Sequence, residues 1–377
     1  MLEWIAFAVG VALVFATFAS IFDALVVPRG TPARFALRIS RVVGASVRFV
    51  ARRFSSYEDR DRILVLHGPA SLIAVLVAWL TLLLVAFALV FWHLAPGGLG
   101  DAFRQSGSSL FTLGFATADE AGPVAATFIA AASGMVVVAL QIAYLPTIYA
   151  AFNRRETLVT LLESRAGVPA WGPELLWRHH RVGISDSLPD LYSQWEIWSA
   201  DVAETHTTYP VLAWFRSPHP YRSWVTALLA VLDAASMHLA LCPSSAPSEA
   251  RLCLRMGFTA VRDMSRVLNL PYDPDPLPDA PIDLTFEQFE EAVAVLREIG
   301  FPMERTAAEA WADFRGWRVN YEEAMCALAN LVVAPPALWS GTRRDVREPA
   351  MPVRRPLDRT PEEPEGTAST KPTSWGA

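Results

Sequence analysis

The chain has 377 residues, with 32 Lys and Arg against 38 Asp and Glu and a formal net charge of -6. Apolar residues make up 53% and charged residues 19%, where soluble domains average roughly 45–50% and about 25%. With a mean hydropathy of +0.28, this composition excludes a disordered chain, a collagen and a small disulfide scaffold. It predicts a membrane protein with a large water-facing part. Cys242, Cys253 and Cys326 lie far apart with no C-x-x-C spacing, so neither a disulfide framework nor a zinc ribbon is expected.

Three apolar runs follow in chain order. Residues 4–27 are apolar except for Asp23, and 70–93 and 124–150 contain no Asp, Glu, Lys or Arg. Each reaches the ~20 residues a helix needs to cross a hydrocarbon core of about 30 Å. The first has Glu3 and no basic residue before it and is too long for a signal-peptide core, which predicts a retained anchor over 1–28.

Basic residues set the orientation. The loop after the first run carries Arg29, Arg34, Arg38, Arg41, Arg48, Arg52, Arg53, Arg60 and Arg62, the second connection only Arg104, and Arg154 and Arg155 follow the third run. The positive-inside rule places the N-terminus and 95–123 outside, and 29–66 and everything after 153 inside. Arg34, Arg38, Arg41, Arg48 and Arg52 are spaced 4, 3, 7 and 4, which stacks them on one helical face. That predicts an amphipathic helix in the inner headgroup layer, its guanidinium groups meeting anionic lipid.

From 153 to 341 there are 15 basic and 24 acidic side chains, a net of 15 − 24 = -9. Helical periodicity recurs around 156–165, 188–203, 221–241, 249–268, 284–299, 303–315 and 319–333, which predicts a helical cytosolic domain. The acidic surplus argues against a nucleic-acid partner. Residues 342–377 are rich in Pro and poor in apolar side chains, which predicts a disordered tail.

The segment between the second and third runs holds the most informative motif. A helix-sized run from Asp101 leads into Thr112-Leu113-Gly114-Phe115-Ala116, then the acidic pair Asp119 and Glu120, then the third apolar run. This order, within a module over 67–152, resembles the pore module of the potassium-channel superfamily, whose filter reads Thr-Val-Gly-Tyr-Gly. The resemblance implies a re-entrant loop in which Thr112, Leu113, Gly114, Phe115 and Ala116 line a conduction path and backbone carbonyls replace an ion's hydration shell. It also implies a homotetramer, since each chain brings one loop, and K⁺ or another monovalent cation as the permeant ion, with no cofactor. Asp119 and Glu120 would gather cations at the outer mouth. Gly134, 20 positions after Gly114, and Pro146 are candidate gating hinges.

Two positions depart from the family pattern. Ala116 replaces the second filter glycine and would cost on the order of 1 kcal/mol in the left-handed region; Phe111 stands where a second Thr is usual. An alternative is therefore a non-conducting membrane-anchored sensor or scaffold derived from a channel pore.

The inner region has no G-x-G-x-x-G after a strand, no P-loop, no G-x-S-x-G and no H-E-x-x-H. His179, His180, Glu204, His206, His219, Asp233 and His238 are its only candidate metal or proton-sensing groups, and none has a recognised ligand spacing. The expectation is therefore an all-α, multi-pass protein of a bacterial inner membrane, not an enzyme. It has three spans, a pore loop and a helical cytosolic domain.

Overall fold

The computed structural model describes residues 1–27, 34–95, 97–117, 119–341 and 351–354. Arg29 and most of the tail 342–377 lie outside them. The described residues are all-α, with no strand. Four helices are long and apolar enough to cross a membrane, which makes a multi-pass membrane protein.

Helix α1 (Leu2–Leu25) buries one stripe, Ala6, Gly10, Thr17 and Ile21, against α4 (His67–Leu94). Between them lie α2 (Arg34–Ala51) and α3 (Tyr57–Leu64). Helix α5 (Leu99–Leu110) is a full 12 residues, longer than the two turns the sequence implies. It packs on both α4 and α6 (Ala121–Ala166). At 46 residues, α6 runs unbroken past Gly134 and Pro146 and carries the 156–165 periodicity as its own last turns.

The inner part consists of α7 (Gly172–Val182), α8 (Leu188–Thr208), α9 (Trp224–Leu241), α10 (Ser248–Leu268), α11 (Phe286–Glu298), α12 (Ala307–Arg318) and α13 (Glu322–Leu331). At its centre is α9, in which every residue but His238 is buried. Protein encloses all of its most apolar window, against 17%, 39% and 33% for the other three candidate spans. The sequence did not signal α7, whose Trp-Arg-His-His segment is too polar for a clear apolar stripe.

Helix α2 has three faces. Leu37, Ser40, Gly44 and Ala51 are buried, Val42 and Phe49 are exposed apolar residues, and Arg34, Arg38, Arg41 and Arg52 are exposed between the two. Arg48 departs from the predicted row: it is half-buried, and its guanidinium folds over Gly44.

A linker over 209–217 joins the membrane-length helices to the inner part. Arg155 of α6 is fully buried and donates to the carbonyls of Leu212 (2.9 Å) and Phe215 (2.6 Å), to Glu156 (2.8 Å) and to His206 Nε2 (3.1 Å). Arg216 donates to Asp61 and Tyr57 of α3 and to the carbonyls of Val332 and Val333. The loop is thus pinned to α6, α3 and the end of α13 together. Near the C-terminus, residues 351–354 lie across the inner part: Arg354 donates to the buried Glu174 at 2.9 Å, and Arg178 donates to the Val353 carbonyl at 2.9 Å.

Candidate functional site

The site is built from the C-terminal turn of α5. Three hydrogen bonds seat this helix: Ser106 Oγ donates to the Leu84 carbonyl of α4 (2.8 Å), Gln105 Nε2 to Thr127 Oγ1 of α6 (3.1 Å), and Ser109 Oγ to the Gln105 carbonyl (2.8 Å). Leu110, the last helical residue, is buried, and its carbonyl packs against Gly134 of α6. A Cβ at Gly134 would fall well inside contact distance of that oxygen. The structure thus gives Gly134 a close-packing role; α6 is straight-through helix there and at Pro146.

After α5 the chain turns back on Ser108. Its carbonyl accepts from Leu113 N–H (2.8 Å) and, more weakly, from Gly114 N–H (3.4 Å), and its Oγ accepts from Ala116 N–H (3.0 Å). A trans peptide holds its C=O opposite to its N–H. With the amides of Leu113, Gly114 and Ala116 aimed at Ser108, the carbonyls of Thr112, Leu113 and Phe115 therefore aim away from it, towards the exposed side. The sign of φ fits this: positive at Thr112 (54°) and Gly114 (73°), and not at Leu113 or Phe115. Backbone of alternating hand turns successive peptide groups the same way.

Gly114 takes its left-handed conformation without cost, and a Cβ there would meet nothing. Ala116, expected to need such a conformation, does not adopt it. The strain falls on Thr112 instead, where a side chain costs about 1–2 kcal/mol; its Oγ1 donates to the Phe111 carbonyl at 2.7 Å. Phe111, Leu113 and Phe115 are 46%, 63% and 58% exposed, so this chain alone leaves the outer side of the segment uncovered. Asp119 and Glu120 are exposed at the start of α6.

The predicted filter residues thus form one contiguous segment. Ser108, Gln105 and Thr127, which hold it, were not singled out by sequence; the only signal was the hydroxyl-rich run Gln105 to Ser109 before the filter-like motif.

The inner candidates do not converge. No group of three or more His, Cys, Asp or Glu able to hold a metal occurs among the described residues. His206 belongs to the Arg155 cluster, and its basicity is held well below the usual histidine range by burial and by Arg155. Asp233 is instead paired with Arg318 and accepts from Tyr321 at 2.8 Å. Burial pushes its carboxyl up to about 6 against their pull, while Arg318, with Glu322 on its other side, stays charged. His238 faces Tyr192 and is lowered to about 4 by burial. His179 bonds the Leu175 carbonyl at 2.7 Å, His180 packs edge-on to Phe301, His219 lines a cleft with Tyr221, and Glu204 is exposed.

Comparison with protein-family models, curated proteins and solved structures gave no match.

Proposed function

We propose that the chain is one subunit of a four-fold, potassium-channel-like pore for monovalent cations in a bacterial inner membrane. In this reading α1, α4 and α6 cross the bilayer, with the N-terminus outside and the inner part cytoplasmic. Helix α5 re-enters from the outer side, and α9, with no face left for lipid, is the core of the cytosolic domain.

The observation that carries the proposal is the capture of the Leu113, Gly114 and Ala116 amides by Ser108, which aims three carbonyls outward. Four copies around an axis would turn them into oxygen rings able to replace an ion's hydration shell. Polar backbone at membrane depth is tolerated only when buried in protein or lining a wet cavity. Neighbouring subunits would cover the exposed Phe111, Leu113 and Phe115. The same applies to Phe128, Met135, Ile142 and Tyr149, exposed at seven-residue intervals along α6. Asp119 and Glu120 would concentrate cations at the mouth, and Arg34, Arg38, Arg41 and Arg52 would meet anionic headgroups. No covalent step is involved.

The strained Thr112 and the absence of a left-handed residue at Ala116 favour a second reading, a non-conducting anchored scaffold that keeps the pore architecture. Purified protein in K⁺- or Na⁺-loaded vesicles separates the two. A conducting pore gives ion release that Gly114→Asp abolishes, from a particle of four chains. Background release from a tetramer selects the scaffold, and a monomer or dimer overturns both four-fold readings.

A further inference from the structure

Asp23 is the one charged residue within the first apolar run, and among the described residues it has no ion-pair or hydrogen-bond partner. A carboxylate in a membrane helix is costly and marks a place where a cation belongs. Gln141 of α6 poses a matching problem: it is only 6% exposed, yet its Oε1 has no partner.

Both side chains line one cleft of about 620 Å³, whose walls include Leu25 of α1, Leu37 of α2, Val75 of α4 and Trp214 of the linker. Its depth in the membrane follows from helix rise. Asp23 lies 21 residues beyond Leu2, and Gln141 lies 20 beyond Ala121. At 1.5 Å per residue each is about 30 Å down its helix, the thickness of the hydrocarbon core. The cleft therefore opens level with the inner headgroups. Its two unanswered polar groups are both acceptors, so the missing partner is a donor. Arg34 and Arg38, exposed on α2 beside the wall residues Ala36 and Leu37, add donors for an anion. A headgroup carrying both an ammonium and a phosphate answers this arrangement, since an ammonium brings three N–H donors and no acceptor.

We propose that this cleft binds one inner-leaflet aminophospholipid, phosphatidylethanolamine. Its ammonium lies between Asp23 and the Gln141 carbonyl, its phosphate at Arg34 and Arg38, and one acyl chain along the apolar wall. The proposal rests on the membrane reading above and not on ion conduction.

Native mass spectrometry of the full chain, reconstituted in nanodiscs of phosphatidylethanolamine with phosphatidylglycerol, or of phosphatidylcholine with phosphatidylglycerol, tests it. Wild-type protein retains one phosphatidylethanolamine per chain, at least about tenfold over phosphatidylcholine, whose quaternary ammonium has no N–H. Asp23→Asn and Gln141→Leu each lose that preference, and Ala36→Trp, which fills the cleft, loses retention outright. Equal retention of the two zwitterionic lipids overturns the proposal, as does retention of phosphatidylglycerol alone, or wild-type retention by Asp23→Asn. If Asp23→Asn does not fold, the same outcomes are read from Ala36→Trp. Because no flux is measured, a silent pore leaves this result intact, and failed retention leaves the pore reading intact.

Discussion

One serine organises the whole filter-like segment: Ser108 accepts through its carbonyl and its hydroxyl, and nothing else in the chain takes the amide of Ala116. Ser108→Ala removes the Oγ acceptor and leaves that amide unpaired, a loss of about 1 kcal/mol in folding but a large one in carbonyl alignment. Ion release from vesicles is expected to drop to background in Ser108→Ala and to survive in Ser108→Thr; unchanged release in the alanine variant would sink the clamp. Arg155 makes a different prediction. Arg155→Met leaves Glu156 buried without its cation and frees two carbonyls, so it should cost about 3–5 kcal/mol in denaturant unfolding. Sequence reading could not separate Arg155 from Arg154, since both fit the positive-inside pattern. Their fates diverge through partners 57 and 60 residues away for Arg155 and through the exposed Asp201 for Arg154, and no local spacing encodes that.

Among the helices, the contact of α5 with α6 is the most exacting. Gly134→Ala puts a methyl into the Leu110 carbonyl and must push the end of α5 outward, at a cost of about 1–3 kcal/mol. Gly100→Ala, in the same short helix but facing open space, should instead stabilise by about 0.5–1 kcal/mol through helix propensity. Paired thermal melts of the two variants check this, and equal effects would refute the packing account. The membrane-length helices were legible because lipid exposure needs an uninterrupted apolar run, and α2 because its arginines keep a helical period. Hydropathy alone could not tell α9 from a span: Trp224–Leu241 is as apolar as a short membrane helix, and only the packing of α7, α8, α10, α12 and α13 around it accounts for that. The clamp at Ser108 was invisible for the opposite reason, since a serine four residues before a turn has no distinctive pattern.

Across the whole molecule, buried histidines give the inner part an acid-sensitive stability. Burial lowers His238 to about 4 and also lowers His179 and His206, while an unfolded chain titrates near 6.5. The folded state therefore binds fewer protons than the unfolded one below that value. Stability is full above about pH 7 and is lost progressively as pH falls from 6.5 towards 4. Melting temperature should drop between pH 7.5 and pH 5, with a shallower drop in His238→Gln; a flat profile in the wild type would contradict the assignment. The 46-residue α6 also has a mechanical meaning. At 1.5 Å per residue it is about 69 Å long, and the stretch from Gly134 to Ala166 alone is about 48 Å. A rod of that length works as a lever arm: tilting it by about 5° at the α5 contact sweeps its far end through about 4 Å, close to one helical turn. A small push delivered by the domain around α9 would reach the filter-bearing end as a small, stiff rotation, with the long arm on the side where force is applied.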